Sequence, residues 1–267
     1  MSSDVSARGL PPPLAADEAA EVSSRFSAAP PRELLAWAIA RFGEYLAFAN
    51  SFGAEDIVVL DQLLALAPNA TVFCLDTGRL PEETHDLIAE CEKRWGRTFE
   101  LLAPEADSLT ALLNHQGTNG FRQSLEARRA CCGVRKVEPL KRFLATRAAW
   151  ITGLRREQSI TRADLPLVEI DHDHGGIAKL NPLANWSEDD VWRAVREHDL
   201  PINALHRRGY RSIGCAPCSR AVLPGEDVRA GRWWWEKVEQ RECGLHLKDG
   251  RLVRAKDLGP QGSKSSP

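Results

Sequence analysis

Apolar residues come in short strand-length runs, and between the runs they recur every three or four positions. Residues 45–50, 71–75 and 98–102 are runs of the first kind and predict three buried strands. Leu34, Leu35, Ala38, Ile39 and Phe42 have helical spacing, with Pro30-Pro31 at the start and Gly43 at the end. Further helices are expected from Ala54-Glu55-Asp56 to about Leu64, and from Pro81-Glu82-Glu83 to about Gly96. Residues 108–114 read as helix, a less regular stretch follows, and 134–145 read as helix again despite Pro139. Residues 149–154 predict a buried strand, and 167–170 with 177–180 a short pair. Ser187-Glu188-Asp189-Asp190 is a capping box for a helix carrying Val191, Trp192 and Val195, which Pro201 ends.

Strands alternating with helices predict an α/β fold, a mostly parallel sheet flanked by helices, followed by an irregular C-terminal segment from residue 211. Ligands in such folds sit beyond the carboxyl ends of the strands. Here those ends are Asn50-Ser51-Phe52-Gly53 and Asp76-Thr77-Gly78-Arg79. Residues 1–29, rich in Ala, Ser and Pro, are expected to form a disordered, mobile arm. No internal repeat is evident.

Composition narrows the class. A hydrophobic fraction of 43% in 267 residues suits one large soluble domain or two small ones. A net charge of -2 argues against a general polyanion binder. No apolar run approaches the ~20 residues of a membrane span. The N-terminus lacks the basic flank and apolar core of a secretory signal, so a cytoplasmic location is expected. The seven cysteines are then reduced thiols, metal ligands or catalysts; an odd count with two adjacent thiols does not suit a disulfide framework.

Cys131-Cys132 and Cys215-Ala216-Pro217-Cys218 supply four thiols. Such a set suits an iron–sulfur cluster, a structural zinc ion, or plain buried or redox thiols. Adjacent cysteines diverge from one short backbone segment, which favours a bulky cluster over a single ion. Cys74 on a strand and Cys91 on a helix read as ordinary packing. Cys243, in Glu242-Cys243-Gly244-Leu245-His246, stands apart as a candidate nucleophile, its thiolate favoured by nearby cations. From residue 121 to 162 there are eleven Lys or Arg against three acids, a local balance of 11 - 3 = +8 bracketing the twin cysteines. Lys141, Arg142 and Arg147 fit a solvated helix face. Arg155, Arg156 and Arg162 follow a buried strand and fit it less well. The belt suits phosphate or sulfate oxygens, or an anionic metal centre; it also admits RNA, although it carries no aromatic stacking platform. Ser51-Phe52-Gly53 ahead of a helix is either an anion-binding turn or simply a tight turn that needs glycine.

Taken together, Ser51-Phe52-Gly53-Ala54-Glu55-Asp56, Leu75-Asp76-Thr77-Gly78-Arg79, Cys131-Cys132-Gly133-Val134-Arg135-Lys136, Gly214-Cys215-Ala216-Pro217-Cys218, Gly231-Arg232-Trp233-Trp234-Trp235 and Glu242-Cys243-Gly244-Leu245-His246 resemble, in this order, the assimilatory adenylylsulfate (APS) reductases. The likeness runs over residues 31–246, and the fold turn is shared with the wider adenine-nucleotide alpha-hydrolase group. It implies a catalytic domain over 30–241 and a mobile tail over 242–267. It implies a [4Fe-4S] cluster on Cys131, Cys132, Cys215 and Cys218, and adenosine 5'-phosphosulfate over the strand ends. Ser51, Phe52, Gly53, Leu75, Asp76, Thr77, Gly78 and Arg79 would hold the adenosine; Lys136, Arg162, Arg229 and Arg232 would hold the phosphosulfate. Cys243 would attack sulfur.

The implied reaction leaves a Cys243 S-sulfonate and AMP, then releases sulfite to a second thiol. With four cysteines on a cluster and two buried, the expected reductant is a separate thioredoxin. Neither a nucleic-acid nor a membrane partner is expected, and self-association into a homo-oligomer is compatible with the sequence. The rivals are 3'-phosphoadenylylsulfate reduction, which the cluster cysteines weigh against, with dual use of both nucleotides left open; an iron–sulfur tRNA-thiolation enzyme, which would need an ATP turn absent here; and a metal-bearing nucleic-acid module.

Overall fold

The computed structural model describes residues 9–159 and 162–236. Its centre is a six-stranded sheet of β1 (Leu46–Ala49), β2 (Thr71–Leu75), β3 (Glu100–Leu102), β4 (Ala149–Ile151), β5 (Val168–Asp171) and β6 (Ile177–Leu180), in the order β3-β2-β1-β4-β6-β5. All neighbours are parallel except β5, which pairs antiparallel with β6. The predicted fold class is therefore the observed one.

The helices are α1 (Ala16–Arg25), α2 (Pro31–Phe42), α3 (Ala54–Leu66), α4 (Glu82–Trp95), α5 (Ala106–Gln116), α6 (Leu125–Cys132), α7 (Glu138–Leu144) and α8 (Glu188–Glu197). Alternate strand residues separate two cores, as the period of two requires. Phe48, Val72, Cys74 and Ile151 face α2, α3, α4 and α8, while Ala47, Phe73 and Trp150 face Leu140 and Leu144 of α7. Cys74 and Cys91 are buried in the larger core, and burial pushes both thiols up to about 12, as suits packing residues. Ser187 caps α8 by the expected reciprocal bonds with Asp190, but the helix ends at Glu197, ahead of Pro201.

Two expectations need correction. Residues 9–29 are not a mobile arm: α1 lies along β5, and Ala19, Val22 and Phe26 join the core. Ser23 Oγ donates to the Val168 carbonyl at 3.1 Å and accepts from the Val168 N–H at 3.0 Å, so α1 closes an otherwise open sheet edge. A composition of Ala and Ser hides the sparse helical spacing of three apolar residues. Second, the stretch before the twin cysteines is helical. α6 starts at Ser124, whose side chain accepts from Ala127 N, and runs through a π turn (Gly133–Val137) into α7. Pro139, which has no N–H to return to the preceding turn, follows that change of hydrogen-bond register.

The expected irregular C-terminal segment is present but well packed: Cys215, Cys218 and Trp233 form a third small core with Phe121. Among the described residues, no helix is long and apolar enough to cross a membrane. If α1 is structural, Phe26→Ala should cost about 3 kcal/mol, as other buried Phe→Ala changes do. Thermal melting should fall by roughly 6–12 °C for a domain of this size; an unchanged midpoint would return residues 9–29 to the role of a passive arm.

Candidate active site

Strand order reverses between β1 and β4, since β1 leads to β2 and β3 on one side and β4 begins the other. A cavity of about 240 Å³ opens at the carboxyl end of this switch point, where such folds bind ligands. Its rim comes from the turns that leave the strands. Ser51 and Gly53 follow β1, Leu75 ends β2, and Thr152 and Gly153 follow β4.

Asp56, in the first turn of α3, joins these turns. Ser51 N–H and Ser51 Oγ–H donate to Asp56 Oδ2 at 2.7 and 2.6 Å, and the Gly153 backbone N–H reaches the same carboxylate. A Cβ at Gly153 would overlap that carboxylate, so glycine is required there. Phe52 adopts φ 57° beside this turn, a left-handed conformation uncommon for a bulky residue. Its ring is buried edge-on against Phe99 at 5.5 Å, and its N–H donates to Asn50 Oδ1 at 2.7 Å. Phe52 thus anchors the turn from beneath, and its side chain does not line the cavity.

Four cationic residues proposed from the sequence converge here. Lys136, from the π turn, Arg162, Arg229 and Arg232 all line the cavity. Arg155 does not join them. It is buried, its guanidinium donating to Glu55 Oε1 from Nε at 3.0 Å and Nη2 at 2.9 Å. Arg156 donates to the Leu165 carbonyl at 2.8 Å.

Behind the cavity lies a smaller one, walled by Cys131, Cys132, Cys215 and Cys218 together with Arg79, Arg128, Arg135, Lys136 and Arg232. The adjacent cysteines close α6, and Cys215 precedes and Cys218 ends a short 3-10 turn (Ala216–Cys218). Lys136, Arg232 and Trp233 line both cavities. Among the described residues no three His, Cys, Asp or Glu side chains are gathered tightly enough to hold one metal ion. The thiols surround a space rather than a point.

Burial pushes the Cys218 thiol up to about 11, reinforced by Cys215 and opposed by Arg232 and Lys136. Cys131 is raised by burial too, against Arg135. As bare thiols they stay protonated at neutral pH, and only a bound metal would make thiolates of them.

The segment after β2 goes elsewhere than the sequence suggested. Only Leu75 reaches the larger cavity; Asp76, Thr77, Gly78 and Arg79 do not line it. Asp76 Oδ1 and Thr77 Oγ1 accept from Gly78 N and Arg79 N, shaping a tight loop against the thiols. Thr77 Oγ1 lies 3.2 Å from Cys215 Sγ, the Arg79 carbonyl accepts from Ala216 N at 2.8 Å, and Arg135 Nη1 donates to the Thr77 carbonyl at 2.5 Å. Arg79 Nη2 donates to the Thr118 carbonyl, and its guanidinium lies 5.1 Å from the Phe121 ring centre.

Sequence reasoning quoted Trp233, Arg135, Glu55 and Asp56 inside motifs without giving them roles. Trp233 lies under the guanidinium groups of Arg128 and Arg232, at 4.6 and 4.7 Å from the ring centre, and its Nε1 is buried with no hydrogen-bond partner among the described residues. Arg128 donates from Nε to Glu236 Oε1 at 2.6 Å in a buried ion pair. Gly214 has no room for a Cβ beside the Arg232 guanidinium. Cys243, the candidate nucleophile, lies outside the described residues.

A mostly parallel α/β sheet with a cation-lined cavity at its switch point, backed by four thiols, defines the class: an α/β protein with an anion-type cavity and a second, thiol-lined centre. Residues 45–221 match the phosphoadenosine phosphosulfate reductase domain model, and the chain belongs to that family. It is 52% identical over 204 residues to adenosine 5'-phosphosulfate reductase of Allochromatium vinosum, covering 76% of this chain and 79% of the relative. It is 50% identical to that of Burkholderia cepacia, over 75% of this chain and 80% of the relative. The chloroplastic 5'-adenylylsulfate reductase 3 of Arabidopsis thaliana is 42% identical over 85% of this chain, a match to half of the plant protein. Among solved structures, a phosphoadenylyl-sulfate reductase of Candida auris superposes with TM-score 0.66 at 26% identity, over 78% of this chain and 98% of that one.

The site generates a pH prediction through Asp56. Burial pushes its carboxyl up to about 6, against the hydrogen bonds from Ser51 that pull it down. A raised folded-state value means the fold prefers the neutral acid. That preference is fully expressed below the unfolded value of 3.8 and is lost as pH rises through about 6. Asp56→Asn stays neutral, so its unfolding free energy relative to the parent should shift in its favour by up to about 3 kcal/mol between pH 4 and pH 7. Urea denaturation across that range checks this; a difference independent of pH would contradict it.

Proposed function

We propose that the protein reduces adenosine 5'-phosphosulfate to sulfite and AMP, in assimilatory sulfate reduction, through a Cys243 S-sulfonate. The observation that carries this reading is the shared wall: Lys136, Arg232 and Trp233 line both the cavity at the strand ends and the thiol-lined cavity. A mixed anhydride of phosphate and sulfate needs cations where negative charge builds on the leaving phosphate. Lys136, Arg162, Arg229 and Arg232 supply them, and the turn of Ser51 and Gly53 with Leu75 receives the nucleoside. Thr77 and Arg79 then support the thiol centre instead of touching the adenosine.

The donor set fits a [4Fe-4S] cluster on Cys131, Cys132, Cys215 and Cys218. Four thiols bound one space, five cationic side chains surround it, and the unpartnered Trp233 Nε1 and the Thr77 hydroxyl provide donors suited to sulfur acceptors. When bound, the cluster would supply a fixed field beside the phosphosulfate and would not cycle electrons.

The chain's own chemistry has two steps. The Cys243 thiolate attacks the sulfate sulfur; the S–O bond to the phosphate breaks, and AMP leaves with the bonding pair. A thiolate of an external dithiol of the thioredoxin type then attacks Cys243 Sγ, sulfite leaves with the electron pair of the S–S bond, and the dithiol's second thiol frees Cys243. The dithiol ends as a disulfide, having given two electrons to sulfur. Cys243 stands seven residues beyond Glu236, which Arg128 holds in a buried ion pair. The cytoplasmic location belongs to the same proposal.

Two variants test the two halves. Cys243→Ser should abolish sulfite release and the labelled sulfonate detectable by mass spectrometry after single incubation with sulfur-labelled substrate, while iron content stays at the parent level. Cys218→Ser should lose bound iron and its visible absorption. Sulfonate-free turnover in the parent would sink the covalent mechanism; full iron in the Cys218 variant would sink the ligand set. Running 3'-phosphoadenylylsulfate in parallel separates the substrate preference from the chemistry.

A further inference from the structure

The stretch between Arg155 and Arg162 contains a side chain with no role in the reaction as described so far. Gln158 lines the larger cavity beside Arg162. Its Nε2 donates to Glu55 Oε1 at 3.0 Å, and its Oε1 accepts from Arg162 Nη1 at 2.5 Å and from Arg155 N at 3.2 Å. Glu55 is itself fixed, because the same oxygen accepts two N–H bonds from buried Arg155. The amide therefore has one allowed orientation. Its NH₂ end must face the carboxylate, which turns its carbonyl oxygen toward Arg162.

We propose that Gln158 is the positioning residue for Arg162, a neutral relay that aims the guanidinium into the cavity without cancelling its charge. The inference rests on the assignment of Arg162 to the phosphosulfate. A carboxylate at this position would hold the same guanidinium by the same oxygen geometry. It would also neutralise it towards an anionic substrate and stand against Glu55 as a like charge. An amide gives the orientation alone. Glu55 can afford its own charge because Arg155 balances it out of reach of the ligand: Arg155 does not line this cavity. The stretch thus treats these two cations differently: Arg155 is paired with Glu55, and Arg162 is held by the neutral Gln158 amide.

The test is a double-mutant cycle on the full-length, iron-loaded protein, with kcat and KM for adenosine 5'-phosphosulfate measured for Q158L, Q158E, R162A and Q158L/R162A. Iron content and melting temperature are checked for each, and the isosteric Q158E serves if Q158L fails to fold. Q158L should lose about tenfold or more in kcat/KM, the loss falling on the same parameter as in R162A. Q158E should lose at least as much as Q158L although it keeps an acceptor for Arg162. The double variant should be no worse than R162A alone, since a relay without its target has nothing to position. Multiplying losses in the double variant, or parent-level kcat/KM in Q158E, overturns the inference while leaving Arg162 as a substrate contact. Parent-level activity in R162A overturns that assignment and the inference with it.

Discussion

One carboxylate ties together the two sides of the strand-order reversal. Asp56 takes the Ser51 N–H and hydroxyl from the turn after β1 and the Gly153 N–H from the turn after β4. Sheet pairing alone fixes β1 against β4 only along their short ladder, from Leu46↔Ala149 to Phe48↔Ile151. Beyond the ladder the backbones diverge, and that divergence is the cavity. Without a bridge, both turns would carry unpaired backbone groups at a place where water must be replaced by ligand. The rest of the site depends on this frame: α3 brings Glu55 next to Asp56, Glu55 holds Arg155 and Gln158, and Gln158 holds Arg162.

The second constraint is electrostatic. The site gathers many cations beside four thiols, and cations close together repel. The molecule separates them by duty. Arg155 and Arg128 are buried against Glu55 and Glu236. Arg135 and Arg79 are spent on main-chain carbonyls around the thiols. Lys136 and Arg232 stand in the wall common to the two cavities. Trp233 offers its ring faces to Arg128 and Arg232, a way to pack guanidinium groups closely in a dry interior. The two cavities are thereby joined through three side chains, Lys136, Arg232 and Trp233, not through a long path.

Much of the scaffold was legible from patterning. Strands with apolar residues on both faces, as at Val72, Phe73 and Cys74, read as continuous runs in a parallel sheet, and the helices between them carry clear start and stop residues. Motif cysteines and cations were legible too, because metal-type and anion-type chemistry restricts residue choice. α1 was not: three apolar positions in an Ala/Ser background give little periodic signal, and what makes the helix stable is the β5 edge it covers. The loop of Thr77 and Arg79 leaves a strand end, so its place in the chain points to the ligand end of the sheet. Its actual neighbour, the Cys215 turn, comes from more than a hundred residues away, and no local pattern announces that meeting.

By itself the sequence determined which residues have the chemistry: four thiols in two pairs, a local excess of cations, and glycines where backbone must pass close. It determined the alternation that makes the sheet parallel. Only the tertiary structure decided which cations line the cavity, because burial beside a carboxylate and a place in a cavity wall look the same in a list of arginines. Arg155 and Arg162 stand seven residues apart in one short stretch, and one is locked to Glu55 while the other is aimed by an amide. The difference lies in the distance to a single side chain on α3, about a hundred residues away.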